Sequence, residues 1–220
     1  MNDALGTSFV TESQEEGRGR AGRRWYSPAG AGIYCTTILP AELENRALPA
    51  VGFWASLSAV SAVRIECGIE LELKWPNDLT LGSLKCCGIL SEGRAFGNAN
   101  RVAVGVGLNV NRPETPPPEG LPETAWLSDA QRRALDRTRL LARMLEEYEN
   151  SFDVLVREPA SVIRAWADAA RIEGRRLAIS SPDGAVIAEG VARGLTSDGA
   201  LRLETENGPQ TVRLGDVQAL

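Results

Sequence analysis

The pattern of this chain changes at Glu173, and no single layer of secondary structure accommodates both sides of the change. After it, short alternating segments are separated by turn signals: Pro182-Asp183-Gly184, Ser197-Asp198-Gly199, Asn207-Gly208-Pro209 and Gly215-Asp216. Even spacing of that kind, over roughly forty-odd residues, predicts a small β-barrel. Before Glu173 the elements are longer and of both kinds. Residues 48–67 carry small and apolar side chains at helical spacing, with no strong breaker after Gly52, and read as a buried helix. Residues 138–155 set Leu140, Leu141, Met144, Leu145, Tyr148 and Phe152 on one helical face, and 159–170 form another helix. Strands are expected at 7–13, 33–39, 71–75 and 101–110, with a hairpin of 79–81 and 85–93 turning at Gly82-Ser83. Residues 112–124 are a proline-rich loop. The expected fold is α+β, with one domain over 1–172 and an SH3-like β-barrel over 173–220.

Composition then removes whole classes of chemistry. The 220 residues include no histidine, which excludes Ser-His-Asp and Cys-His catalysis and the HExxH zinc helix. Cys35, Cys67, Cys86 and Cys87 show no CxxC spacing, so they read as buried thiols in a reducing cytoplasm rather than disulfides or a metal site. A net charge of −5 is the wrong bias for a dedicated DNA binder, so any basic site must be local. Residues 1–14 are polar and acidic, unlike a secretion signal. No run approaches the ~18 consecutive apolar residues of a membrane span. The expectation is a cytoplasmic protein working without DNA or membrane.

The sharpest local feature is Gly17-Arg18-Gly19-Arg20-Ala21-Gly22-Arg23-Arg24-Trp25. Its first six residues match GxGxxG, but a dinucleotide fingerprint needs a helix starting in the glycines, and Pro28, Gly30 and Gly32 interrupt one. An RG-type nucleic-acid segment would normally repeat in a strongly basic region, and this one occurs once. A solvated basic turn with a core tryptophan is the bland alternative. The remaining reading is an anion cradle. Glycines admit close backbone approach, and Arg18, Arg20 and Arg23 offer forked, permanent charge for carboxylate and phosphate. One such loop could hold a substrate carboxylate against a nucleotide α-phosphate, with Trp25 stacking on a ring as the loop closes.

Two further constellations fit beside it. Lys74-Trp75-Pro76-Asn77-Asp78 puts a lysine in a strand heading for the core, where an ammonium needs a partner. Asn77 and Asp78 could equally cap a turn and nothing more. Lys85, followed by Gly88-Ile89-Leu90, is a compact charge that could sit beside the same two acids. Gly105-Val106-Gly107-Leu108-Asn109 is a strand whose glycines leave a slot for a flat ligand, and Asn109 offers the donor and acceptor an adenine edge requires.

Together, GRGRxGRxW with Gln14 just before it, KWPNDL followed by a lysine and GILxE, and GxGxN resemble the biotin protein ligases. The resemblance continues through Gly174-Arg175-Arg176, Asp198-Gly199-Ala200-Leu201 and Gly215-Asp216-Val217, and covers nearly the whole chain. It implies a mixed-sheet, class II synthetase-like catalytic domain of the biotin/lipoate ligase type. It also implies a two-step reaction: biotin and Mg-ATP give biotinyl-AMP and pyrophosphate, and a lysine of a biotin carboxyl carrier protein then attacks the mixed anhydride. By match, Gln14, Gly17, Arg18, Gly19, Arg20, Gly88, Gly105 and Gly107 would lie against the substrate. Lys85 would hold carboxylate and α-phosphate in reach of each other, and Arg23 and Trp25 would order over the adenylate. Lys74, Asn77 and Asn109 would face the nucleotide, and Asp78 the incoming amine. Arg20, Lys85 and Asp78 would carry the chemistry, most of it positioning and charge compensation, which needs no histidine. Mg²⁺ would ride on phosphate oxygens, with no metal site of the protein's own. A homodimer is compatible with the pattern.

The sequence departs from the family at its start. The family usually has a strand and helix before the arginine-glycine loop, opening with Ser-Thr-Asn. Here only Met1 to Gly6 precede the first strand, and Asn2-Asp3-Ala4-Leu5 is the candidate remnant. No helix-turn-helix precedes the loop, so a monofunctional ligase without repressor function is expected. The competing readings are a lipoate or octanoate ligase, and a non-catalytic binder of biotin or adenylate.

Overall fold

The structure, a computed structural model, describes residues 6–40, 43–96 and 99–220; the remnant at 2–5 lies outside them. Before residue 110 the strands are β1 (Thr7–Thr11), β2 (Gly32–Ile38), β3 (Glu72–Lys74), β4 (Asp78–Leu81), β5 (Leu84–Phe96) and β6 (Ala99–Asn109). They form one sheet in the order β1-β2-β6-β5-β4-β3, and every ladder is antiparallel. The α+β class holds, with one refinement: the sheet is antiparallel rather than mixed, apart from an isolated parallel bridge between Lys85 and Thr124. Local sequence explains the β3-β4, β4-β5 and β5-β6 ladders, because consecutive strands joined by short connections pair antiparallel.

One face of the sheet is the core. Ile33 and Cys35 of β2, Cys87 and Ile89 of β5, and Val102, Val104, Val106 and Leu108 of β6 are all buried in one cluster. Against it lies α1 (Val51–Cys67), entered through a 3-10 turn, Asn45–Ala50, that accommodates Pro49. The continuous helical run Asn45–Cys67 is long and apolar enough to cross a membrane by composition. Here its residues Val51, Trp54, Ala55, Ala59 and Val63 are buried in the core instead. A short α2 (Leu127–Gln131), which periodicity does not reveal, follows the proline-rich loop. Then α3 (Arg137–Arg157) starts at Asp136, whose carboxylate accepts from the N–H groups of Thr138 and Arg139 at 2.9 and 3.1 Å. Next is α4 (Pro159–Ala169), with proline at its first turn, where no N–H is missed. Trp54 of α1 stacks on Tyr148 of α3 at 4.3 Å and donates to Ser151 Oγ at 2.7 Å. Phe53 meets Trp166 of α4 edge-on at 5.0 Å, and Trp166 Nε1 donates to Ser56 Oγ at 2.9 Å. The indole N–H groups of Trp54 and Trp166 are thus both matched, which lets these large aromatics fill the core. All four cysteines are buried and free, as expected.

The remaining strands are β7 (Arg176–Ser180), β8 (Val186–Leu195), β9 (Leu201–Thr205), β10 (Gly208–Val212) and β11 (Asp216–Ala219). They pair in the order β10-β9-β8-β7-β11, an open antiparallel sheet whose outer strands are not bonded to each other. This second sheet is seated on the first unit through the Thr196–Ala200 turn. Trp75 Nε1 donates to the Gly199 carbonyl at 3.0 Å, and a Cβ on Gly199 would collide with the Phe53 ring. The tryptophan of the KWPND segment therefore joins the two sheets.

Candidate active site

The face of the sheet opposite α1 is bare at its centre, where Gly88 and Gly107 pair and Gly105 follows in register. In β6, Ala103, Gly105 and Gly107 alternate with the buried valines, and Gly88 of β5 pairs with Gly107. Register continues this row to Asp78 of β4 on one side and Tyr34 of β2 on the other. A row running from a carboxylate over two glycines to a phenol is a floor with polar ends. Tyr34 is buried, its hydroxyl donates to the Pro28 carbonyl at 3.0 Å, and burial pushes its pKa up to about 12. It stays a neutral hydrogen-bonding group throughout the physiological range.

Over this floor lies the arginine-glycine segment, folded as a narrow excursion between β1 and β2. Isolated antiparallel bridges join Gln14 to Ser27 and Arg18 to Arg24. Trp25 N–H donates to the Gly17 carbonyl at 2.8 Å and Gly19 N–H to that of Arg23 at 2.7 Å. The tip turns through a 3-10 piece, Arg20–Gly22, in which Ala21 and Gly22 take positive φ of 53° and 74°. No helix starts in the glycines, so the dinucleotide reading is excluded by the backbone itself. Ser27 Oγ donates to Gln14 Oε1 at 2.7 Å, fixing Gln14 at the base of the excursion beside buried Gly17.

Most of the expected cations converge. Arg20 Nη1 donates to Asn77 Oδ1 at 3.0 Å, and Asn77 Nδ2 donates in turn to the Ile89 carbonyl at 2.6 Å. Burial lowers the Arg20 pKa, with Asp216 and Asp78 pulling the other way. Lys85 Nζ sits 2.7 Å from Asp78 Oδ1 and 5.3 Å from the centroid of the Trp25 ring. Arg23 grips Asp216 of β11 through two bonds of 2.8 and 3.0 Å, which raise its pKa. Arg20 and Asn77 also line a cleft of about 360 Å³ between the two sheets, with Trp75 and Leu90 on one wall and Asp198 and Arg213 on the other. A larger hollow of about 500 Å³, around Arg112, Asp129 and Arg132, contains none of the expected site residues.

Three expected residues stand apart. Arg18 is 81% exposed and reaches only Glu16, at 3.8 Å. Lys74 ends β3 half-buried, and its ammonium has no hydrogen bond or ion pair among the described residues. Asn109 is turned inward, its Nδ2 donating to the Ala125 carbonyl at 3.1 Å, so its amide N–H is spent on the chain itself. That bond, with Ala125 N–H donating to the Lys85 carbonyl at 2.9 Å, brings the loop after β6 back over the sheet and buries Trp126 beside it. Tyr34, Ser27 and Asp216 belong to the site and escaped the sequence reading. Strand periodicity makes Tyr34 an ordinary strand residue, and Asp216 is nearly two hundred residues from its partner. Among the described residues, no group of three or more Cys, Asp and Glu side chains is placed to hold a metal ion.

An antiparallel sheet with a glycine floor, roofed by an arginine loop and braced by a second small sheet, defines a cleft that gathers cations over open backbone. Residues 4–109 match the Biotin/lipoate A/B protein ligase family and residues 174–219 the biotin protein ligase C-terminal domain. The chain is 32% identical to the biotin–[acetyl-CoA-carboxylase] ligase of Paracoccus denitrificans, over 96% of this chain and 90% of that one. It is 30% identical to the bifunctional ligase/repressor BirA of Bacillus spizizenii, over 99% of this chain and 67% of the relative. Among solved structures, the biotin protein ligase from Aquifex aeolicus in complex with biotin and ATP superposes with a TM-score of 0.81 at 25% identity, covering 100% of this chain and 91% of that one. Within that family of ligases, the chain belongs to the biotin protein ligases.

Proposed function

We propose that this chain joins biotin to a lysine of a biotin carboxyl carrier protein, using ATP and passing through biotinyl-5'-AMP. The observation that carries the reading is the convergence of Arg20, Lys85 and Asp78 around a floor without side chains. In the first step a biotin carboxylate oxygen bonds to the α-phosphorus of ATP as the bond to pyrophosphate breaks. Two anions must touch, and their repulsion is large at contact unless fixed cations offset it. Lys85 and Arg20 are those cations. Asn77, anchored on the Ile89 carbonyl, keeps the Arg20 guanidinium aimed, so little reorganisation accompanies the reaction. Mg²⁺ arrives with ATP as part of the co-substrate, on phosphate oxygens.

The second step needs a base. When Lys85 leaves Asp78 for the substrate anions, the Asp78 carboxylate loses its ion-pair partner beside the acyl carbon. It then takes the proton of the attacking lysine amine as the C–O bond to AMP breaks and the amide forms. Gln14, Gly17, Gly19, Gly88, Gly105 and Gly107 form the biotin slot in this reading. Arg23 and Trp25 cover the adenylate, and Lys74 faces the nucleotide. Arg18 contributes only if it turns inward, and Asn109 supports the nucleotide end through Ala125. We further assign the catalytic unit to residues 1–172 and the accessory unit to 173–220, and place the enzyme in the cytoplasm. We read it as acting on a protein rather than on DNA.

The test is direct. Purified protein with biotin, Mg-ATP and a carrier domain should increase the carrier mass by one biotinyl group on one lysine. Mass gain with lipoate instead would favour the lipoate reading. Biotin binding without mass gain would leave a non-catalytic binder.

A further inference from the structure

We propose that Trp25 competes with the substrate for its slot, so that the arginine-glycine loop keeps the site shut until a ligand displaces the indole. The proposal rests on the function above. Its first support is contact. The indole lies on the paired glycines Gly88 and Gly107: a Cβ at Gly107 would collide with Trp25 Nε1, and one at Gly88 would stand 3.2 Å from Trp25 Cζ3. No layer of ligand fits between ring and floor, so the indole and a flat substrate ring exclude each other. The second support is an unmet bond. Trp25 Nε1 is buried without a hydrogen-bond partner, whereas the indoles of Trp54, Trp75 and Trp166 each donate to one. Leaving a buried N–H unpaired is unfavourable, so the seated ring is held less well than a core tryptophan and can be displaced.

The third support is that each converging cation has an internal partner while Trp25 is seated. Lys85 lies between the Trp25 ring and Asp78, Arg20 is on Asn77, and Arg23 is on Asp216. A ring-bearing acid exchanges all of these at once. Its ring replaces the indole on the glycines, and its carboxylate draws Lys85 from Asp78. Little resists the exchange, since the Arg23–Asp216 pair is exposed and of a kind that contributes weakly. A site that must first be vacated binds with an affinity reduced by the fraction of molecules in which it is open.

Calorimetric titration of biotin alone into the full chain and into Trp25→Ala tests this. The variant should bind about tenfold more tightly, because the closed population is removed. In the wild type, saturating biotin should increase acrylamide quenching of tryptophan emission as the indole leaves the slot. Trp25→Phe should lose that increase, since the other four tryptophans are at most 3% exposed. Equal or weaker binding by Trp25→Ala at an unchanged melting temperature overturns the proposal, and so does quenching that stays level or falls. If neither protein binds biotin, the substrate assignment itself fails and the plug with it. If both bind and the variant gains nothing, only the plug fails.

Discussion

The two faces of β5 and β6 put the same strands to opposite uses. Toward α1, Cys87, Ile89, Val102, Val104, Val106 and Leu108 are buried together in one apolar core. Toward the loop, Gly88, Gly105 and Gly107 leave space unfilled, and charged groups gather at its rim. One face does its work by packing, which is short-range and tolerant of any apolar residue of the right volume. The other does its work by withholding side chains, so that a ligand and a few fixed charges can meet. Stability should therefore track the first face and activity the second, and that separation can be attacked experimentally.

The largest effects belong to the charges. Arg20→Ala and Lys85→Ala should each slow biotin-dependent pyrophosphate release about a thousandfold, with melting temperatures near wild type. A variant that melts early would mean the cation holds the fold rather than the substrate. Next come two residues of one strand. Leu108→Ala should cost about 3 kcal/mol in urea denaturation, by cavity formation in a filled face. Gly105→Ala, whose added methyl meets its neighbours at an ordinary 3.6 Å, should leave stability nearly unchanged yet weaken biotin binding about tenfold or more, since one methyl narrows the slot. Equal losses of stability in both would erase the distinction between the faces.

A smaller effect concerns pH. Burial pushes the Cys86 thiol up to about 12 and that of Cys87 well above its ordinary value. An unfolded thiol ionises near about 8.5, so above that pH the unfolded chain sheds protons that the folded one retains. Stability is therefore fully present below about pH 8.5 and declines above it, by up to about 1.4 kcal/mol per pH unit for each thiol. Urea midpoints at pH 7.5 and 9.5 check the sign, and a midpoint that rises with pH contradicts it. The smallest effect is expected at Asp216→Ala, which removes a half-exposed ion pair worth about 0–1 kcal/mol.

Much of this division was legible before any coordinates. Periodicity located α1, α3, α4 and the strands, because apolar spacing reports directly on which face is buried. The arginine-glycine loop and KWPND were legible as chemistry, because glycine-flanked arginine and strand lysine have few other uses. What was hidden depends on distant pairing. Asn109 reads equally well as an adenine contact, and only the return of Ala125 shows its amide turned inward. Arg18 and Arg20 look alike in sequence, yet one faces solvent and the other meets Asn77, a residue 57 positions away that local pattern does not place beside it. The placement of Trp25 on Gly107 is likewise a property of two segments eighty residues apart. The second unit was readable as short strands, but its open edges follow from register that turn signals do not specify.

The central claim is that cations held over a bare floor bring two acids into bonding contact. Isotope exchange between labelled pyrophosphate and ATP measures that step alone, without the carrier protein. Exchange should require biotin, should not occur with lipoate, and should vanish in Lys85→Ala. Exchange at full rate in Lys85→Ala, or exchange started by lipoate in place of biotin, would contradict the account.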